Sequence, residues 1–158
     1  MFAWYAAAMA TDGLGLASIN PVAASSLIGF GTPPPDVDIN FSIVDFHGTV
    51  DDNIPYDESS SFGIGPHDTL ISFDGFYYEK KATLLHNWAV KMTCDEEEQN
   101  YYTPYDGQDQ FQCFIRFCPR NKSILRCFGV YGHDFPVAQH KNAAAEIAYE
   151  FMKNHPRH

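Results

Sequence analysis

The stretch IVDFHGTVDDNIPY, residues 43–56, decides the fold that the sequence predicts. Residues 41–46 are almost continuously apolar and rich in β-branched and aromatic types, which is the pattern of a strand buried on both faces. A His-Gly pair ends the run, and two aspartates follow it. Functional side chains in open α/β sheets gather just past the carboxyl ends of strands, so Asp51 and Asp52 stand where a site would lie.

Helical patterns flank this strand along the chain. Residues 2–10 predict a helix, and residues 15–26 predict a short strand that runs into a loop. Apolar residues at three- and four-residue spacing predict two further helices. The apolar stripe of the first helix consists of Leu84, Leu85, Trp88, Ala89 and Met92, and Lys80, Lys81 and Lys91 lie mostly off it. The stripe of the second helix consists of Ala144, Ile147, Ala148, Phe151 and Met152. Pro136 lies near the start of the second helix, and Pro156 ends it.

Two strand-like segments, residues 111–118 and 123–132, surround the short sequence PRNK and predict a hairpin that carries cysteines. Residues 57–76, rich in Ser, Gly and Asp, predict a long surface excursion. Strands alternating with helices indicate an α/β fold, here a partial, mostly parallel sheet with flanking helices. The 158 residues suit one domain, residues 1–158.

Charge and hydropathy exclude two classes of partner. The net charge is −10, with 20 acidic against 10 basic residues, and such a field repels phosphate backbones, so we expect no nucleic-acid partner. No apolar run approaches the roughly 20 residues of a membrane span, so we expect no membrane insertion.

The four cysteines, Cys94, Cys113, Cys118 and Cys127, crowd into one stretch without the close CxxC pairs of a zinc site. Two disulfides are the favoured interpretation, with three possible connectivities; four buried free thiols are the alternative. Sequons at Asn40 and Asn121 fit a secretory route. The sequence thus favours an oxidising compartment.

A histidine follows the second strand of the hairpin in the same way that the aspartates follow residues 41–46. His133 is 82 residues from Asp51, but neighbouring strand ends would bring the two together. An Asp that accepts from an imidazole N–H fixes the tautomer and stabilises the imidazolium, as in an activated serine. Ordinary polar loops are the alternative for both. A metal site built from Asp45, His47, Asp51 and Asp52 is a further one, although His47 is better interpreted as a structural residue bonded to the turn.

The segments HGTVDDNIPY (47–56) and YGHDFP (131–136) resemble the acid and base elements of α/β-hydrolase esterases of the feruloyl esterase and polyhydroxybutyrate depolymerase-like group. The resemblance extends to residues 15–26, the cysteine-bearing hairpin and the tail at 140–155. It implies an α/β-hydrolase fold, Asp51 as the acid with Asp52 as second choice, and His133 as the base. It also implies an ester substrate, no cofactor or metal, and a secreted full-length parent.

The sequence departs from that family at the nucleophile. It contains no Gly-x-Ser-x-Gly elbow; Ser25 and Ser26 lack the flanking glycines, and Ser59–Ser61 lie in a polar excursion. Residues 2–10 resemble the helix after the elbow, so we expect the serine before Met1 and a domain that is incomplete, without its N-terminal strands. Loss of such a nucleophile costs roughly a million-fold in turnover. The chain alone should be nearly inert as an esterase.

Two classes of function follow. In the first, the chain is the acid-and-base half of a serine carboxylesterase acting on a feruloylated or acetylated polysaccharide or a polyester, with residues 101–107 and Phe73–Phe76 as candidate walls of an aromatic pocket. In the second, it is a non-catalytic, degenerate paralogue with a ligand-binding role. A metal-dependent hydrolase using Asp45, His47 and Asp51 is a third possibility.

Overall fold

The computed structural model of the chain describes residues 4, 7, 18, 19, 21, 25–27, 32, 33, 38–57, 64, 65, 69–105, 111–133 and 143–155. The strands within them are β1 (Ser18–Ile19), β2 (Ser42–Gly48), β3 (Leu70–Ile71), β4 (Tyr77–Tyr78), β5 (Gln99–Asn100), β6 (Gln112–Cys118) and β7 (Lys122–Gly129). The helices with defined bounds are α1 (Lys81–Lys91) and α2 (Ala143–Asn154).

These elements form a small mixed α/β domain around a sheet with the order β1-β2-β7-β6-β5. The β1–β2 and β2–β7 pairs are parallel, whereas β7–β6 and β6–β5 are antiparallel. The sheet is therefore mixed. The connection at residues 119–121 is so short that it permits only an antiparallel return of the chain. Arg120 and Asn121 adopt positive φ there, as a tight hairpin turn requires. The predicted hairpin itself is confirmed.

Strand β2 lies inside the sheet between β1 and β7, and all seven of its residues are buried. This confirms the prediction from the apolar run. Since side chains alternate along a strand, Ile43, Asp45 and His47 project to one face and Val44 and Phe46 to the other. β2 and β7 run in register to their ends, where Gly48 pairs with Gly129.

A separate hydrophobic core covers each face of the sheet. The first core includes Ile43, Ile124 and α1, whose predicted stripe of five residues is buried. Trp4 and Ala7, the described residues of the predicted helix at 2–10, are helical and pack in this core. The second core joins Val44, Phe46 and the hairpin to the α2 residues Ala144, Ile147, Ala148 and Phe151.

Single residues depart from the predicted helix faces for reasons of tertiary packing. Lys81 was predicted to lie off the buried stripe, yet it is 1 % exposed and faces β2. Met152 was predicted to be buried and is 37 % exposed. The proposed start of the second helix at Pro136 lies outside the described residues.

Two disulfides connect the hairpin region, which confirms the favoured interpretation and selects one connectivity. Cys94, just after α1, is bonded to Cys118, and Cys113 is bonded to Cys127 across the hairpin. Both bonds are compatible with an extracellular protein.

The expected surface excursion at 57–76 contains more structure than its composition suggests. Its described part includes β3, which pairs with β4 in a small antiparallel sheet, and Leu70 is fully buried. Among the described helices, none is long and apolar enough to span a membrane.

Candidate functional site

The candidate site begins where β2 and β7 end side by side. The N–H of Thr49 donates to the Gly129 carbonyl at 2.8 Å, and the N–H of Val50 donates to the Tyr131 carbonyl at 3.3 Å. The two segments run so close that a Cβ on Gly48 would lie 1.9 Å from the Tyr131 carbonyl oxygen. Gly48 is therefore needed for the approach, which carries the segments after both strands to the same place.

Asp51 and His133 meet at this edge. His133 Nδ1 lies 3.0 Å from Asp51 Oδ2 and 3.2 Å from Oδ1, so its N–H donates to the carboxylate. The Asp51 side chain is fully buried, whereas that of His133 is 43 % exposed. The predicted proximity of the two residues is confirmed; their catalytic role stays a prediction.

A tight turn holds the Asp51 carboxylate in place. Oδ1 accepts the backbone N–H groups of Asn53 and Ile54, each at 2.9 Å. Asp residues commonly form such local bonds, which fix the turn and the side chain together. Asp52, the second choice for the acid, is exposed, and its carbonyl accepts the N–H of Phe73 at 3.3 Å. Asp51 is the carboxylate that His133 contacts.

His47 lies beneath this turn. Its Nε2 is 2.8 Å from the Ile54 carbonyl oxygen and 3.5 Å from Asp51 Oδ2, and the residue is fully buried. Burial holds the pKa of His47 well below its ordinary value, and the nearby charge of Lys81 lowers it further. His47 is thus a neutral donor to the turn, which confirms its interpretation as a structural residue.

A buried ion pair lies on the same face of β2, two residues before His47. Lys81 Nζ is 2.9 Å from Asp45 Oδ1 and 5.3 Å from the centre of the Trp4 ring. Burial raises the pKa of Asp45 and lowers that of Lys81, although their mutual attraction opposes both shifts. Sequence reasoning missed this partner, because nothing in the local pattern distinguishes Lys81 from Lys80.

The three groups of the metal hypothesis have other contacts. Asp45 binds Lys81, His47 donates to a carbonyl, and Asp51 accepts from two amides and from His133. Within the part of the chain that the structure describes, no cluster of three or more His, Cys, Asp or Glu side chains has a metal-binding arrangement.

An aromatic and charged layer continues from His47 across the same face of the sheet. The Tyr56 ring lies 5.5 Å from that of His47 and 5.6 Å from that of Phe128. Arg126 donates to Tyr56 Oη at 3.0 Å and to Glu98 at 2.7 Å, with its guanidinium 5.2 Å from the Phe128 ring. This layer also escaped sequence reasoning, since its members come from four separate segments.

The predicted aromatic pocket is present in part. The tyrosine-rich segment and α2 enclose a groove of about 140 Å³, lined by Tyr101, Tyr102, Thr103, Pro104, Tyr105, Glu146, Ile147 and Glu150. Phe73 and Phe76, the other predicted wall, are 72 % and 54 % exposed and do not line it.

The serines considered as nucleophiles have structural roles where they are described. Ser25 Oγ donates to the Glu79 carbonyl at 2.7 Å, and Ser26 Oγ lies within hydrogen-bonding distance of the Leu27 carbonyl and the Glu79 carboxylate. Both serines are buried. Ser59–Ser61 lie outside the described residues.

Comparison with known proteins adds no assignment. No protein-family model and no curated protein matches the chain. The resemblance to α/β-hydrolase esterases therefore depends on the two sequence motifs, and any function has to be argued from the geometry of the Asp51–His133 pair.

Proposed function

We propose that this chain supplies the acid and the base of a serine carboxylic ester hydrolase with an α/β-hydrolase fold. The observation that supports the proposal is the contact between a buried carboxylate and a half-exposed imidazole at the carboxyl edge of two parallel strands. In that arrangement the acid holds one ring nitrogen, and the other nitrogen is left to exchange protons with a nucleophile and a substrate.

Each residue has a defined part in the proposed reaction. With Nδ1–H donated to Asp51, neutral His133 carries a lone pair on Nε2. As the serine oxygen bonds to the ester carbonyl carbon, Nε2 takes the hydroxyl proton and then returns it to the departing alkoxide. Water repeats the sequence on the acyl-enzyme, which releases the carboxylic acid and restores the serine. Asp51 orients the ring throughout and stabilises its cationic form.

The nucleophile in this proposal comes from outside the 158 residues, because the sequence has no Gly-x-Ser-x-Gly. The proposed domain is the C-terminal part of the hydrolase, with the serine elbow and oxyanion donors on preceding strands. The two disulfides and the two sequons support secretion of the parent protein.

The tyrosine groove supports an aromatic substrate. β5 is antiparallel to β6, as β7 is, so β5 and β7 run in the same direction. Tyr101 follows β5, and its N–H donates to the carbonyl of Cys113, which pairs with Cys127 of β7. Two strand spacings separate β5 from β7, about 10 Å. In the proposed enzyme, an extended ester bound at His133 would run back along β7 and across β6 to reach the tyrosines. A feruloyl-type polysaccharide ester or an aromatic polyester fits this span.

The first test is the genomic reading frame upstream of Met1. The proposal expects an in-frame Gly-x-Ser preceded by strand-like sequence. A stop codon or unrelated sequence there contradicts it and favours the non-catalytic paralogue instead.

The second test is hydrolysis of methyl ferulate and p-nitrophenyl acetate by the extended protein. We expect Asp51→Asn to lower kcat by about 10⁴-fold and His133→Ala by about 10⁶-fold. Asp52→Asn is the matched control and should stay within threefold of the parent. Equal losses in the two aspartate variants, or an active His133→Ala protein, would contradict the proposed roles.

A further inference from the structure

His47 contacts the backbone of the turn that carries Asp51. It is the sixth of the seven residues of β2, and its ring is fully buried. Nε2 lies at ordinary hydrogen-bonding distance from the Ile54 carbonyl, 2.8 Å, but 3.5 Å from the Asp51 carboxylate. The stronger of the two contacts is therefore to the turn backbone.

We propose that His47 is the positioning residue of the Asp51–His133 pair, acting as a neutral Nε2–H donor that fixes the turn at residues 51–54. The backbone groups of Ile54 connect His47 to Asp51. The Ile54 carbonyl accepts from His47, and the Ile54 N–H donates to Asp51 Oδ1. Fixing that residue holds Oδ1 in the turn and leaves Oδ2 directed at His133, 3.0 Å away.

The chemistry of the contact selects the tautomer. A carbonyl oxygen only accepts, so the proton of neutral His47 is on Nε2. His47 Nδ1 has no hydrogen-bond partner among the described residues. A second proton on Nδ1 would therefore be buried with no acceptor among those residues, which costs free energy.

The charged groups around His47 favour the same state. Lys81 opposes protonation through its charge, as His133 does more weakly, and burial of the ring has a larger effect than either in lowering the pKa of His47. Asp51 beside Nε2 and Asp45 on the same strand face carry negative charge, but each is already bound to a cation or to N–H donors. Among the described residues, Tyr56 also packs on the ring. The turn should therefore stay fixed well below pH 6.5.

Exchange of the Asn53 and Ile54 amide hydrogens measures the positioning role without any catalysis. We expect His47→Leu to accelerate their exchange about tenfold more than that of the β7 amides, because one hydrogen bond to the turn is lost. His47→Gln places an amide N–H at the position of Nε2 and should restore protection to within threefold. His155→Leu is the matched control, since His155 bonds to Phe151 and Ser123 at the far end of α2.

Equal acceleration in the leucine and glutamine variants, or acceleration no greater than in β7, would overturn the proposal. If His47→Leu does not fold, ¹⁵N NMR of the unsubstituted chain decides instead. A neutral Nε2–H form at pH 5.5 supports the proposal, and an Nδ1–H or doubly protonated ring overturns it.

The consequence for catalysis depends on the proposed function. In the extended enzyme, His47→Leu should lower kcat about tenfold with KM unchanged, and His47→Gln should restore it. Loss of amide protection without loss of turnover would support the role of His47 in fixing the turn and contradict the catalytic role proposed for the Asp51–His133 pair.

Discussion

Lys81 Nζ, at the first residue of α1, lies 2.9 Å from Asp45 Oδ1 in the middle of β2, and neither side chain is more than 2 % exposed. The bond joins helix to sheet two residues before His47, which contacts the turn that carries Asp51. A buried ion pair adds little over a well-packed apolar pair, but removing one partner leaves an uncompensated charge. The pair is therefore a point at which single substitutions should be costly.

We predict that Lys81→Met lowers the free energy of unfolding by about 3–5 kcal/mol, because Asp45 is left buried without its cation. Urea denaturation measures the loss. The double variant Asp45→Leu, Lys81→Met should recover most of it. Arg120→Gln is the control, since it breaks the exposed ion pair with Asp38 and should leave the urea midpoint unchanged. Equal losses in the single and double variants would contradict the argument.

We predict that stability falls as pH drops below about 6.5, where an unfolded histidine ionises. Because the folded-state pKa of His47 is lowered, the unfolded chain binds the extra proton first. The contribution of neutral His47 to the free energy of unfolding is fully present above pH 6.5. It is lost on acidification, by up to about 1.4 kcal/mol per pH unit. The raised pKa of Asp45 acts in the opposite direction at lower pH. The check is the difference between the parent and His47→Gln, and an identical pH profile for both would refute it.

We predict that Gly48→Ala destabilises the chain by at least 1–3 kcal/mol, since its Cβ would meet the Tyr131 carbonyl at 1.9 Å and force the strand ends apart. Thermal unfolding measures the loss, and the NMR signal of the His133 Nδ1 proton should weaken. Gly132→Ala is the matched control, because its Cβ would lie 3.9 Å from its nearest neighbour. A larger effect at Gly132 than at Gly48 would contradict this account of the strand ends.

We predict that removing the Cys113–Cys127 disulfide costs more than its loop length implies. Its 14-residue separation corresponds to about 3 kcal/mol of loop-closure entropy. Both cysteines are also buried in the core beneath α2, so replacement by Ala adds a cavity cost. Replacing Cys94 and Cys118, which are only partly buried, should cost close to the entropic value alone. Urea midpoints of the two double variants decide the order, and the reverse order would refute the cavity argument.

Local sequence patterns predicted much of the fold. A continuous apolar run correctly predicted β2, strand-like segments around a short turn predicted the hairpin, and three- and four-residue spacing predicted the buried stripe of α1. Burial of those residues is decided by spacing along one element. The pairing of Asp51 with His133 was predictable for a related reason, since strand ends meet at one edge of a sheet.

The remaining features depend on contacts between distant segments. Lys81 is buried because Asp45 faces it across the core, and the layer around Arg126 assembles from four segments. The disulfide connectivity has the same origin, since spacing alone allows three pairings. Hairpin β3–β4 was missed because Ser, Gly and Asp dominate the composition around its two-residue strands.

The parallel pairing of β2 with β7 has a consequence for the order of folding. The hairpin β6–β7 is local, and hairpins form in microseconds. Docking β2 onto it closes a long loop, since Asp51 and His133 are separated by 82 positions in the sequence. This closure costs loop entropy before any contact is gained. We therefore expect the hairpin to be the early template for β2 and the acid–base pair to be completed late. Formation of the Asp51–His133 contact would then indicate that the chain has reached its native topology.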